Sequence, residues 1–412
     1  MTVSSRVDLD GVAVPSDVLL LERTLSHARQ RDYAGWDYGD GMSSRIRGAL
    51  PFENRWVNLG FQELTKRAPI NLRPLLGVEQ RRNFKGVSLF TMANLTAYDL
   101  TEDEQYLEEA RTLADWLLDY RTDGYSGYCG GHNHDLQGLT KTTTRRTPGI
   151  VGTSYAVKAL LRADESLKTH RRASSTQYGD VARTAAEFVF EDLGYTEQDG
   201  TATINYKPDE PDDFSTINAV ALGGRLLVDL YDAFGEERFL DGATKIMNYV
   251  AEKQTDLGGW AYRDPPSASH LSMDNHHNGF IIECFQRYHE VVGPRYRDTL
   301  DRGLWFYRNV LFESTGAPNW DETSAYPRDV HACAQGILVF SYAGEFEFAG
   351  RILEWTRRNL YAGGGRFYFR KHRFYTKRIT LMRWCQAWMA YAISEFRAQQ
   401  AGTGRVRSSG DR

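Results

Sequence analysis

Six stretches of this chain are apolar nearly all the way round a helical turn. They lie at 86–98 (GVSLFTMANLTAY), 149–164 (GIVGTSYAVKALLRAD), 215–232 (STINAVALGGRLLVDLYD), 274–290 (DNHHNGFIIECFQRYHE), 328–342 (RDVHACAQGILVFSY) and 378–396 (RITLMRWCQAWMAYAISEF). A helix without a polar face must have neighbours on every side. Helices with one charged face alternate with these six, at 104–120, 177–192, 236–253, 294–310 and 345–360. The N-terminal helix at 15–31 (PSDVLLLERTLSHARQR) has the same two-faced pattern. The periodicity predicts six hairpins of one outer and one inner helix, the N-terminal helix closing a ring against the last inner one. A shorter helix near 55–67 is an addition to that scheme.

The connections divide into two kinds. Turns from inner to outer helices are short, as in DLTEDEQ, AFGEER and YAGEFE. Returns from outer to inner helices are long and carry glycines followed by aromatics: DGYSGYCGG, LGGWAY, TGAPNW and AGGGRFYF. All the long loops therefore gather on one face, where short β-ribbons and a site are expected. One domain spans 15–396, with a flexible start at 1–14 and a disordered tail at 397–412.

Composition narrows the partners. A net charge of −4 gives no electrostatic reason for nucleic-acid binding. No apolar run is long enough to span a membrane. The start, MTVSSRVDLDGVAV, lacks the pattern of a secretory signal. Four cysteines without a CxxC pair read as buried free thiols, and a cytoplasmic setting follows.

Polar runs recur at the start of each inner helix. RRNFKG brings Arg81, Arg82, Asn83 and Lys85; TKTTTRRTPG brings Arg145 and Arg146; KPDEPDDFS brings Asp209 and Asp213. SMDNHHNGF brings Asp274, His276 and His277. NWDETSAYPRDVHA brings Trp320, Asp321, Tyr326, Arg328 and His331, and KHRFYTKRITLMRW brings Arg378 and Arg383. Asp274 can cap its helix, while His276 and His277 project about 100° apart, so at most one aims squarely inward. HNHD at 132–135 reads as an exposed polar turn, with a rim role open for His134. RDYAGWDYGDGMSSR at 31–45 alternates acids and aromatics and adds Trp36 and Asp37. Neither histidine cluster has HExxH spacing, so no metal is assigned. No GxGxxG fingerprint is found, so no cofactor is assigned either.

The hairpin pattern over 15–396 resembles the (α/α)6 toroid of carbohydrate-active enzymes, among them uronyl hydrolases and N-acyl-glucosamine, cellobiose and glucuronyl C5-epimerases. Terpene cyclases use a similar ring, but their acid-rich signature is missing from these inner helices. The fold expected is thus an all-α (α/α)6 toroid with short β-ribbons on one face. RDYAGWDYGDGMSSR together with DNHHNGF resembles AglQ-type glycan-assembly proteins of haloarchaeal N-glycosylation. That resemblance implies maturation of a hexuronic acid in a surface-layer glycan. It also implies a sugar or lipid-linked oligosaccharide as partner, with peripheral association with membrane glycosylation machinery.

Three functions are compatible with these residues. A hexuronic acid epimerase or isomerase needs an acid and a base on two faces of the sugar and a cation for the carboxylate. His276 or His277 would serve as one acid/base, His331 or Tyr326 as the other, and Arg328, Arg378 or Arg383 would hold the carboxylate. Trp36, Asp37, Trp320, Arg146 and His134 would bind the sugar. A glycoside hydrolase would instead use Asp274 with Asp321 or Asp213. A glycan-binding assembly factor would keep the aromatics without a matched acid and base.

Overall fold

The computed structural model describes residues 16–139, 141–170, 177–209 and 213–402, together with a two-residue antiparallel pairing of Arg6–Val7 with Ala13–Val14. That pairing falls within the start expected to be flexible; valines favour extended backbone. Six inner helices run Phe84–Thr101, Ile150–Thr169, Ile217–Phe234, Asn275–Val291, Val330–Tyr342 and, through a π-helical turn Met382–Ala387, Trp388–Ala401. Each packs on the next, and the sixth packs on the first, so the ring closes. The outer layer consists of Asp17–Arg29, Glu104–Asp119, Glu237–Glu252, Arg297–Asn309 and Phe346–Leu360. Between the second and third inner helices it is broken into Gln177–Arg183, Ala185–Glu187 and a π-helical turn Phe188–Asp192. Asp17–Arg29 packs against the sixth inner helix, as the hairpin scheme requires.

The layering follows from the side chains. The first inner helix is buried on every side from Phe84 to Tyr98, whereas Glu104–Asp119 buries one stripe: Leu107, Ala110, Leu113, Ala114, Leu117 and Leu118. Each fully buried leucine or phenylalanine in such a core is worth about 1.5–3 kcal/mol. All four cysteines are buried and free. The last helix runs on to Ala401 and stops at Gly402, which takes the left-handed conformation (φ 69°). Residues 397–401 are therefore helical rather than part of a disordered tail, because FRAQQA is a good helix former. The rest of the expected tail, 403–412, lies outside the described residues.

Six inner helices start on the long-loop face, and short antiparallel ribbons brace that face. Ser215–Thr216 pairs with Arg263–Asp264, and Arg370–Lys371 pairs with both Arg328–Asp329 and Thr376–Lys377. The added helix Arg55–Arg67 packs on Asp40–Ser43 and on the Leu136–Gln137 strand of the same face. No helix among the described residues is long and apolar enough to cross a membrane.

Candidate active site

The residues preceding the inner helices as N-caps are Asn83, Gly149, Thr216, Asp274, Asp329 and Leu381. Two positions further on stand Lys85, Val151, Asn218, His276, His331 and Arg383, all of them buried. Equivalent positions on six helices of one ring face the same axis, so the mouth of the toroid is lined by one recurring register. Six positions past the cap come Tyr155 and Phe280; the sixth helix supplies Trp388 seven positions on, its π-helical turn accommodating one extra residue. These three aromatics form a floor beneath the first layer.

DNHHNG builds one wall. Asp274 caps the helix by accepting from the His277 main-chain N–H at 3.3 Å, and its two carboxylate oxygens also face both imidazoles. His277 Nδ1 lies 2.7 Å from Oδ2 and His276 Nδ1 lies 3.3 Å from Oδ1. The two amides hold the loops in place. Asn275 donates to the Leu311 carbonyl at 2.7 Å and accepts from Tyr307 Oη at 3.0 Å, while Asn278 accepts from the Trp260 N–H at 2.8 Å. Gly279 lets the fifth inner helix come close: a Cβ there would lie 2.2 Å from Gln335 Cγ. The stretch is thus both a helix cap and a positioned pair of histidines.

From this wall the aromatic rings stack inward. His277 lies 4.5 Å from Tyr262 and 3.9 Å from His276; His276 stacks on His331 at 4.6 Å, and His331 on Trp388 at 4.4 Å. Trp384 stands edge-on to His331 at 4.8 Å and is fixed by donating Nε1–H to Asp329 Oδ1 at 2.8 Å. Burial is the main reason the His276 pKa falls well below the usual histidine value, with His277, His331, Arg370 and Lys85 adding to it. His331 falls well below for the same reason, helped by Lys85, Arg383, His277 and Arg370. Both imidazoles are therefore neutral at pH 7. Neither ring nitrogen of His331 has a hydrogen-bond partner among the described residues.

The facing wall comes from the first inner helix, three places round the ring from the fourth. Asp37 accepts from Arg383 Nε at 2.8 Å and Asn83 Nδ2 at 2.8 Å. Burial works to raise the Asp37 pKa, but Arg383, followed by His134, outweighs it and brings it down to about 2. Asn83 Nδ2 also lies 3.1 Å from His132 Nδ1. His134, 5.5 Å from His132, is buried, and its Nε2 has no partner among the described residues. Burial carries the His134 pKa down to about 4, against the pull of Asp37. HNHD is therefore not an exposed turn: its histidines fold inward over Asp37 and Asn83.

The other expected residues divide. Trp320 lies at the rim under the Arg370 guanidinium, 4.8 Å from its ring centroid. Trp36 and Arg146 act as supports. Trp36 donates to the Val78 carbonyl at 3.0 Å and accepts from the Met382 N–H at 2.9 Å. Arg146 donates to the Arg121 carbonyl at 2.7 Å and covers the Tyr120 ring. Tyr326, Arg328 and Arg378 do not join the histidines. Arg328 pairs with Glu313 and lies over Tyr326, 5.7 Å from the Trp355 ring of an outer helix. Tyr326 is exposed, and so is Arg378, near the Tyr368 ring. Successive strand residues point to opposite faces. In 328–329 that sends Asp329 inward and Arg328 outward, and the step from buried Lys377 to exposed Arg378 repeats it.

Arg370, which reaches Asp329 Oδ2 at 2.5 Å, was missed from sequence, as were Trp384 and Trp388. Counting two positions past each cap finds Asn218 and sets Lys85 apart from its polar neighbours. Asp274, His276 and His277 each offer a ligand atom within 4.8 Å of the others, the one such group among the described residues. Their 2.7 Å contact is a hydrogen bond, shorter than the roughly 3.3 Å edge of a tetrahedral zinc site with ~2.0 Å bonds.

No protein-family model matches the sequence, and no curated protein matches it. Solved structures do match in fold. The cellobiose 2-epimerase of Bacillus thermoamylovorans B4167 superposes with a TM-score of 0.59 at 13% identity, covering 77% of this chain and 88% of that one. The GH76 α-mannanase BT2949 of Bacteroides thetaiotaomicron gives 0.61 at 13%, covering 94% and 96%. An unsaturated glucuronyl hydrolase specific for heparin gives 0.60 at 12%, covering 94% and 98%. The fold is the (α/α)6 toroid of these carbohydrate-processing enzymes.

Proposed function

We propose that this chain is a carbohydrate isomerase or epimerase that moves a proton on a hexuronic acid, with His276 as base and His132 as acid. The observation that carries this is the opposite surroundings of the two Nδ1 atoms, a carboxylate oxygen 3.3 Å from that of His276 and an amide donor on that of His132. His276 Nδ1 faces the Asp274 carboxylate, so the ring proton sits there and Nε2 is left as a neutral acceptor. His132 Nδ1 accepts from Asn83 Nδ2, so its proton sits on Nε2 as a donor. The two rings belong to walls three helices apart on a six-membered ring, as removal of a proton from one face of a sugar and its return to the other require. Arg370 and Lys85 supply positive charge for the enolate that forms between the two transfers.

The carboxylates argue against hydrolysis. Asp274 is engaged by two histidines, and Asp321 accepts from Thr323 and Ser324 within its own turn. Asp213 is exposed. In the proposed role the enzyme serves glycan assembly at the cytoplasmic face of a membrane, on a free or lipid-linked sugar acid, as the likeness of RDYAGWDYGDGMSSR and DNHHNGF to AglQ-type proteins implies.

Incubation with D-glucuronate, D-galacturonate and D-mannuronate glycosides in heavy water tests this by mass spectrometry and NMR. Wild type should place deuterium next to the carboxylate. His276→Asn should lose about 10²–10⁴-fold in rate. His132→Asn should still exchange the proton but form no epimer. Release of a new reducing end without deuterium uptake would favour hydrolysis and sink the proposal.

A further inference from the structure

Lys85 is a charged-type side chain that the fold buries without giving it a partner. It is 7% exposed, and its Nζ has no hydrogen-bond or ion-pair partner among the described residues. The amine instead lies 5.5 Å from the Trp388 ring centroid, 5.6 Å from Phe280 and 5.9 Å from Tyr155. Those rings come from the sixth, fourth and second inner helices, and Lys85 from the first. A single atom close to three helices spaced round a ring, on a side chain from a fourth, lies at the axis. Lys85 Nζ is therefore the central polar group above the aromatic floor, in the same layer as His276 and His331; His331 stands over the same rings, 4.4 Å from Trp388 and 5.5 Å from Phe280.

The surroundings favour an anion arriving there. Burying an amine without a partner is costly, and ring faces stabilise it only in part. Asp37, a carboxylate whose charge reaches it, already accepts from Arg383 and Asn83. Burial, and then the Arg383 charge, holds the Lys85 pKa well below the usual lysine value, with Asp37 pulling the other way. The side chain stays poised for a negative group that the protein itself does not provide.

We infer that Lys85 binds the carboxylate of a sugar acid that enters the funnel acid-end first. A single ammonium set among aromatic rings suits a carboxylate better than a phosphate, which draws several donors. The depth also agrees. Nζ and the imidazoles stand over the same aromatic floor, so a group held by one is beside the other. A carboxylate bonded to Nζ at about 2.8 Å would bring the adjoining C–H bond up to the imidazoles. Lys85 would thus select the substrate class and fix which carbon is deprotonated. This rests on the proton-transfer proposal, and binding rather than turnover tests it separately.

The experiment is calorimetric titration of the full chain with methyl β-D-glucuronide and the matching galacturonide and mannuronide. Neutral carboxamide counterparts and hexose 6-phosphates are titrated in parallel. At least one acid should bind wild type tenfold or more tightly than its amide. Lys85→Met should erase that difference while binding the amide unchanged, and Lys85→Arg should restore part of it. Thermal unfolding of Lys85→Met, expected at or above the wild-type temperature, shows that the variant folds. Equal binding of acid and amide by wild type, no binding of any acid, preference for the phosphates, or undiminished acid binding by Lys85→Met overturns the inference. Loss of deuterium exchange in His276→Asn with acid binding intact leaves the anchor standing and bears only on the reaction.

Discussion

The two ends of the toroid axis are built from the same six helices and treat buried polar groups in opposite ways. Deep in the ring, Glu283 accepts from Lys158 at 3.2 Å, Arg225 at 3.1 Å and Gln335 at 3.0 Å. Beside it Glu395 accepts from Arg162 at 2.7 Å, Thr96 at 2.9 Å and Tyr342 at 3.0 Å. Nearly every charge there has an opposite charge within reach. Near the mouth the ring nitrogens of His331 and Nε2 of His134 have no hydrogen-bond partner among the described residues, and Lys85 Nζ faces ring planes instead. Tyr155 marks the border, its ring turned to Lys85 and its hydroxyl 3.5 Å from Glu283. Deep in the ring Arg225 Nε, Asp229 Oδ2 and Gln335 Oε1 also lack a hydrogen-bond partner among the described residues, but each of those side chains is held through another atom; side chains held through no atom, as at the mouth, mark a place that receives something.

The sharpest way to break this contrast is to cut one group from each end and measure stability by urea unfolding. Glu283→Ala leaves Lys158 and Arg225 buried without their carboxylate, and a loss of about 3–5 kcal/mol is expected. His331→Phe keeps a ring between His276 and Trp388 and removes two unpartnered nitrogens, so stability should hold or rise. Equal losses at the two sites would erase the distinction.

Acid comes next in size. His132, His134, His276 and His331 all have folded pKa values below the unfolded 6.5, to about 4 for His134 and well below the usual value for the others. Below pH 6.5 the unfolded chain takes up protons that the folded site refuses, so stability falls with pH. The slope is about 1.4 kcal/mol per pH unit for each such histidine. Asp40, raised to about 6 by burial despite Arg73, works the other way between pH 6 and its unfolded 3.8. The histidines outnumber it, so the melting temperature should drop steadily from pH 6.5 to 4.5. Substituting His132 and His276 together should flatten that profile; an unchanged profile would mean that they take up protons in place.

The smallest effect belongs at a position that sequence alone assigned to catalysis. Tyr326→Phe should change neither deuterium exchange nor stability beyond about 0.5 kcal/mol, since the ring is exposed and lies against outward-facing Arg328. A large loss of exchange in that variant would show that the loop closes over the funnel.

The ring was legible because six helices apolar on every side cannot be stable unless they surround one another. The wall built on Asp274 was legible too, since a cap followed at once by two histidines marks the start of an inner helix. Arg328 and Arg378 were misplaced because a two-residue strand turns alternate side chains away, and strands that short leave no periodicity to read. HNHD reads as an exposed turn, with only a rim role for His134, because a polar loop looks the same in sequence whether it faces water or folds over Asp37. Lys85 was visible only as one cation among several in RRNFKG, and its place at the axis depends on rings contributed by three other helices.

The paired charges around Glu283 and Glu395 have one more consequence. They stopper the toroid, so it is a cup rather than a tunnel. A polysaccharide cannot thread through and be worked on in its middle. In the proposed reaction only a free end, or a single unit, would reach Lys85, and it would back out the way it came.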